Sequence, residues 1–303
     1  MTGKNAIRKT GEDWAVDLVC LAVCVIMAFF CLYPLYYTLI NSLNDGRDAM
    51  RGGIYLWPRL FTLENYKTVL TDKTLPLSFA VTVARTLLGT ALSLFFTAMV
   101  SYGLSKRNLV FRKFYLTVGL ITMYVSGGVI PTYMLYRSLK LVNTFWVYVL
   151  PGIYSFGNSV LMLNFFKKLP GALVESAYID GANDFKILLQ IVLPLSKPLL
   201  ATMALFIGVG HWNDWFTSAY YVVNDKLMTM PAILMKLLSE TDALNKLREM
   251  LSGSSALSQV GQSVTSDSIR FATLIVSILP ITLAYPFLQR YFIQGMMVGS
   301  LKE

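Results

Sequence analysis

Charge is what this sequence has least of. Of its 303 residues only 14% are Asp, Glu, Lys or Arg, while 55% are hydrophobic and the mean hydropathy is +0.56. A soluble domain carries about 25% charged residues. This chain therefore lacks the charge to cover a water-facing surface of its size, and its solvent must be largely lipid. Histidine occurs once, at His211, and cysteine three times, at Cys20, Cys24 and Cys31. All three cysteines lie in the first apolar run, near one helical face. Thiolates inside a bilayer are costly and helical neighbours are poorly placed for a disulfide, so they read as packing residues. No metal-ligand spacing is present, no nucleophile–base pair has a third orienting group, and no glycine-rich turn could cradle a phosphate. These absences exclude an enzyme and leave no cofactor expected in this chain. The net charge of +9 comes without a basic stripe interleaved with aromatics, which excludes a nucleic-acid partner. The basic residues instead flank apolar runs, as they do at the cytoplasmic ends of membrane helices.

What the sequence has in abundance is apolar runs. A membrane helix takes about 20 mostly apolar residues, and six segments qualify: Leu18–Leu43, Leu77–Leu104, Tyr115–Tyr136, Phe145–Phe166, Leu195–Val223 and Phe271–Ile293. The pattern predicts an all-α, polytopic protein in the cell (plasma or inner) membrane. The first segment is too long for a signal-peptide core, and no small-residue cleavage site follows it, so it reads as a retained span. Residues 105–113, between the second and third segments, hold four basic residues and no acid. The positive-inside rule puts that loop in the cytoplasm. Both termini then face the cytoplasm, 1–17 as the N-terminal stretch and 294–303 as the tail. Residues 44–76 and 224–269 become long outer loops, the second with a helix around Met230 to Met250. Loops of such length are functional or disordered; in a transporter they would meet an extracellular partner.

The cytoplasmic stretch 167–194 has the punctuation of two short helices with a break. Pro170 suits the first turn of the first helix. Gly181 can take the left-handed conformation that closes it, and Asn183 or Asp184 can cap the second. Pro194 and Pro198 interrupt helical bonding at the start of the fifth segment. On physical grounds alone such a hairpin could equally lie flat among lipid headgroups.

Its residues carry more. Glu175-Ser176-Ala177, a glycine four positions on at Gly181, then Ile191-Val192-Leu193-Pro194, resembles the EAA loop of ABC importer permeases, with Ser176 in place of the usual alanine. Ala182, the run Pro194-Leu195-Ser196-Lys197-Pro198 and the tail Gln289 to Gly295 are similar to the carbohydrate branch and its maltose-permease G-type subunits. Gly127 to Tyr133 and Gly210 to Phe216 resemble a sub-branch that works with lipoprotein binding partners on polysaccharide-derived oligosaccharides. The resemblance implies a type I ABC importer transmembrane-domain fold of six helices and a role in ATP-driven sugar import. It implies a second, homologous permease subunit, two ATPase subunits that carry ATP and Mg, and an extracytoplasmic sugar-binding lipoprotein. It assigns ATPase coupling to Glu175, Ser176, Ala177, Asp180, Gly181 and Ala182, and a further ATPase contact to the tail at Gln294 and Gly295. Leu163 departs from the pattern: relatives often carry an arginine after the methionine at Met162, so no sugar contact of that arginine transfers here.

Polar residues inside the spans are the other candidates. Arg85 lies about eight residues into the second segment, roughly 12 Å deep at 1.5 Å per residue. It either faces a cavity or snorkels to the surface. His211, Trp212, Asn213, Asp214 and Trp215 combine amide and carboxylate groups with aromatic rings, the composition a sugar site needs. Interhelical packing would use the same residues. With Asn158 they form the candidate substrate pathway. The rival is an ion-driven secondary transporter, which uses broken helices and midplane carboxylates. Asp214 is its only candidate acid, and it leaves the hairpin unexplained.

Overall fold

A computed structural model describes residues 11–49, 51–71, 74–239 and 266–300, with the side chains of 11–12, 266, 284–285 and 287–300 left out. Among these residues the secondary structure is helical, apart from one isolated antiparallel bridge between Asn44 and Phe61. The chain divides into two compact units, residues 1–71 with 244–275 and residues 72–243 with 276–303.

The first unit begins with α1 (Gly11–Ser42), whose apolar part Asp13–Ser42 is long enough to cross a membrane unbroken. Pro34 lies inside it, and Thr38 Oγ1 donates to the Pro34 carbonyl at 2.8 Å. Beyond α1 the chain builds a small lobe instead of an open loop. Asn65, on α2 (Glu64–Thr71), donates its side-chain amide to the carbonyls of Ser42 and Asn44, both at 2.9 Å. Ser42 and Tyr66 share a hydroxyl hydrogen bond of 2.6 Å. Backbone bonds from Asp45 to Leu60 (2.9 Å) and from Thr62 to Leu43 (2.8 Å) tie the returning chain to the end of α1. Within the segment 44–76 expected as an outer loop, residues 44–66 are thus tied to the end of α1 by buried amide hydrogen bonds, which no hydrophobic periodicity announces.

The second unit is organised on α3 (Thr74–Ser105), 32 residues of unbroken helix. It packs against α6 (Phe156–Phe166) and α9 (Lys197–Asn213). Small side chains permit the close crossing: a methyl group built on Gly208 would touch Thr90 Oγ1 at 3.4 Å. Ala98, Tyr102, Met162, Phe166, Ile187, Leu188 and Met203 form one core cluster. Val81, Val147, Tyr148, Val149, Tyr221 and Val222 form another.

Three expected spans are not single straight helices. Tyr115–Tyr136 is α4 (Arg112–Tyr124) and α5 (Val129–Ser138), bent by 117°. The break falls at Ser126-Gly127-Gly128, since glycine is the poorest helix former after proline. Phe145–Phe166 is a 3₁₀ turn at Phe145–Tyr148, an irregular stretch containing Pro151-Gly152, and then α6, whose first turn Ser155 caps. Leu195–Val223 starts at Lys197 after an 86° bend from the preceding helix, stops at Asn213, and resumes as α10 (Phe216–Tyr221). Two described helices therefore cross-qualify alone, and up to four if each bent pair is one span. Helix α11 (Met230–Ser239) marks the start of the helix expected at Met230 to Met250; the rest of it lies outside the described residues. The last helix, α12 (Ser266–Ser300), contains Pro280 and Pro286 and runs past the expected end at Ile293.

One contact between α4 and α6 has no slack. A methyl group built on Gly119 would lie 2.1 Å from the Phe156 ring. Overpacking of this kind costs about 1–3 kcal/mol, so Gly119→Ala should lower the thermal unfolding midpoint in detergent. Phe156→Leu should return part of the loss in the double variant. An unchanged midpoint in Gly119→Ala would show that the two helices do not meet as described.

Candidate functional site

Two places gather the polar groups singled out in the sequence. The first is the hairpin of α7 (Gly171–Ile179) and α8 (Asp184–Leu195). Helix α7 ends in a Schellman closure: Ala182 N–H donates to the Ala177 carbonyl at 2.9 Å and Gly181 N–H to the Tyr178 carbonyl at 3.0 Å. Gly181 takes φ +77°, with open space where a side chain would go. Its demand is conformational and not steric. Asn183 is the cap of α8, its side-chain oxygen accepting from Lys186 N–H at 2.9 Å. Pro170 stands one position before the helix, not inside its first turn.

The hairpin is seated through Ala177, which is buried, with Val174 and Ala182 packed against the same cluster. Glu175, Ser176, Asp180 and Gly181 are exposed. The small size of Ser176 is thus not required by packing within this chain. The sequence reading missed a tether here. Lys106, just past the end of α3, pairs with the Asp184 carboxylate and donates to Tyr178 Oη at 2.5 Å. Its ammonium also lies 4.7 Å from the Tyr102 ring centroid. Lys106 was legible only as one of four basic residues in a loop; nothing in its spacing pointed 78 residues onward to Asp184. With Asp184 largely exposed, the ion pair adds about 0–1 kcal/mol. It fixes where the hairpin sits more than how tightly it holds.

The second place is a cavity of about 440 Å³ in the second unit. Arg85 is buried, at 2% exposure. Its Nη1 donates to the Asp214 carbonyl at 2.7 Å, and its Nη2 pairs with the Asp214 carboxylate. The guanidinium also stands 4.8 Å from the Tyr148 ring centroid. Asp214 occupies the gap between α9 and α10. It accepts from Thr217 N–H at 3.0 Å and Thr217 Oγ1 at 2.5 Å, so it begins α10 while it holds Arg85. Arg85 accordingly faces a cavity and does not snorkel. The His211 ring lies against Gly89, where a methyl group would come within 2.7 Å of it.

Arg85, Asn158, His211 and Asp214 all line this cavity, but the rest of the expected cluster does not. His211 lines it from the end of α9 and Asp214 from the gap that follows, while the two residues between them do not. Trp212 turns to the other side of α9. Its Nε1 donates to the Ser277 carbonyl at 3.1 Å, its ring meets Phe79 edge-on, and it lines a separate apolar cavity of about 540 Å³. Asn213 is exposed, and Trp215 packs edge-on to Phe216. The cavity gains instead Ser93, Tyr136, Tyr148, Ser155 and Thr217. Tyr148 and Ser155 sit in the stretch read as a continuous span, where no pattern set them apart. Gln294 and Gly295 lie on α12, and their side chains are outside the described residues.

Comparison with known proteins adds to this geometry. The model of a family described as "Binding-protein-dependent transport system inner membrane component" matches residues 95–298. The chain is similar to Protein LplC of Bacillus subtilis (strain 168), 36% identical over 273 residues, 89% of each chain. It is similar to the polygalacturonan/rhamnogalacturonan transport system permease protein YtcP of the same organism, 32% identical over 94% of this chain and 98% of that one. It also superposes on a chain from the crystal structure of a bacterial ABC transporter involved in the import of the acidic polysaccharide alginate. That match has a TM-score of 0.83 and 27% identity, and it covers 95% of this chain and 100% of that chain.

The Arg85–Asp214 pair makes its own prediction. Removing one partner of a buried ion pair costs about 3–5 kcal/mol, because it strands the other charge. Arg85→Ala should therefore destabilise the protein more than the double variant Arg85→Ala/Asp214→Ala, as read by thermal unfolding in detergent. A loss in the double variant equal to the sum of the two single losses would show that the two residues do not depend on each other.

Proposed function

Because the chain belongs to the binding-protein-dependent transport system inner membrane component family, as a permease subunit with the type I ABC importer membrane-domain fold, we propose that the solute it helps to move is an oligosaccharide. Named relatives support this: permeases for polygalacturonan/rhamnogalacturonan and for arabinooligosaccharides are 32% and 30% identical to it. The cavity chemistry agrees. Tyr136 offers a ring face, and Asn158, Ser155 and Thr217 offer groups that can bond hydroxyls.

The single observation that carries the mechanism is the hairpin: a rigidly closed short helix, seated through Ala177, that presents Glu175, Ser176, Asp180 and Gly181 outward. In this proposal it enters a groove of a separate cytoplasmic ATPase, where ATP and Mg are bound. Closure of two such ATPases moves the hairpin, and the helices follow in alternating access. A second, homologous permease completes the pathway, and an extracytoplasmic binding lipoprotein delivers the sugar. Both termini and the basic loop 105–113 face the cytoplasm. The tail from Gln294 adds a second ATPase contact. An ion-driven mechanism would need a carboxylate free to take up an ion, whereas Asp214 is already engaged by Arg85 and Thr217.

Coupling is tested by substitution at the turn. A β-branched residue forced to φ +77° costs about 1 kcal/mol or more of backbone energy. Gly181→Val should leave the chain in the membrane and lose the co-purifying ATPase, as should Glu175→Lys by charge reversal. Gly181→Asn, which tolerates the left-handed conformation, should keep it. Full ATPase retention and full sugar uptake in both Gly181→Val and Glu175→Lys would remove the hairpin from the mechanism. For the pathway, Asp214→Asn should reduce uptake without altering the binding protein's affinity for sugar; normal uptake at normal expression would return the cavity to a packing role.

A further inference from the structure

We propose that the tip of the lobe that follows α1, residues 55–57, is an interfacial membrane anchor whose Tyr55, Leu56 and Trp57 side chains enter the lipid beside α1. Four observations within the first unit lead there. First, the tip is apolar and uncovered. Trp57 is 77% exposed and Leu56 65%, while their neighbour Ile54 is buried at 2% and holds the segment down. Second, the loop is closed at its base. Gly52 and Gly53 reverse the chain with φ of +70° and +75°. Arg59 closes the loop behind them, its Nε donating to Asp48 Oδ2 at 3.0 Å and its Nη2 to the Gly52 carbonyl at 2.5 Å. A built, closed loop that leaves a tryptophan bare has a use for it.

Third, the tip reaches back along the membrane span. The Tyr36 hydroxyl donates to the Leu56 carbonyl. Tyr36 precedes the last residue of α1 by six positions, about 9 Å along the axis, and helical side chains lean toward the N-terminus, here the deeper side. The Leu56–Trp57 segment therefore lies below the end of α1, not beyond it. The apolar side chains Leu32, Leu35 and Leu39 of α1 are themselves exposed. Fourth, the chemistry is layered as an interface requires. Irregular backbone is not tolerated in the hydrocarbon core, so the backbone of the tip stays at headgroup level, where Tyr36 bonds the Leu56 carbonyl, and only its side chains reach inward. Tyrosine and tryptophan are the residues favoured at headgroup level. Arg47 and Arg51, exposed and ahead of the tip in the sequence, are long cations of the kind that reach headgroup phosphates. The occupant is thus the phospholipid of the leaflet reached by the C-terminal end of α1.

The test uses the full-length chain with its co-expressed subunits in phosphatidylglycerol–phosphatidylethanolamine nanodiscs. Cys20, Cys24 and Cys31 are changed to Ser, and a nitroxide is attached at Trp57→Cys, or at Arg51→Cys for reference. In power-saturation measurements the label at 57 should collide with oxygen several-fold more than with a water-soluble nickel chelate, and the label at 51 should show the reverse. Nickel access at 57 would put the tip in water, and low access to both reagents would mean that a protein surface covers it; either overturns the proposal. If the cysteine variant fails to assemble, brominated lipids serve instead. They should quench wild-type tryptophan fluorescence more than that of Trp57→Phe, and equal quenching would be equally decisive against lipid contact.

Discussion

A guanidinium in the middle of an apolar helix has to be answered, and the answer given to Arg85 organises the second unit. An ionised group inside a bilayer costs several kcal/mol or more unless paired and hydrogen-bonded. Its partner must therefore come from a neighbouring element at the same depth. A regular helix offers a carboxylate but no free backbone carbonyl. The break after Asn213 frees both, and Asp214 presents its carboxylate and its carbonyl to the same guanidinium. The interruption in the fifth segment and the charge in the second are one feature. Thr217 completes it by binding the carboxylate from the first turn of α10. Of the cavity's lining, Thr217 and Tyr148 are in contact with the pair.

The same helix links that cavity to the hairpin. Helix α3 carries Arg85 in its interior and runs unbroken to Ser105, with Lys106 tied to Asp184 and Tyr178. The two anchor points are about 21 residues apart, roughly 31 Å at 1.5 Å per residue. An unbroken helix is the stiffest connection a chain can make over that distance, while the bent segments on either side are places where motion can be absorbed. The π turn at Leu188–Val192, within α8, and the 86° bend before Lys197 lie between α7 and α9. In the proposed cycle, α3 transmits displacement and the bends accommodate it.

Membrane residence, helical class and the hairpin were legible in the sequence because each rests on local chemistry. Apolar runs of span length, a four-cation loop, and a glycine followed by a capping asparagine act over a few residues, and the structure uses Gly181 and Asn183 as their types require. The family resemblance rested on the same short-range spacing, and it covers the region matched by the family model. The straightness of the spans was not legible, since hydropathy averages over a window and does not register a 117° bend at two glycines.

The site divided along the same line. The sequence by itself determined that Arg85, His211 and Asp214 lie in apolar surroundings and need partners, because desolvation acts on a residue wherever it falls in the chain. Only the tertiary structure decided which partners they have. It turned Trp212 away to Ser277, brought Tyr148 over Arg85, and set Lys106 against Asp184, 78 positions further on. Those pairings depend on how broken helices pack against α3, and packing is a property of surfaces that meet only once the chain has folded.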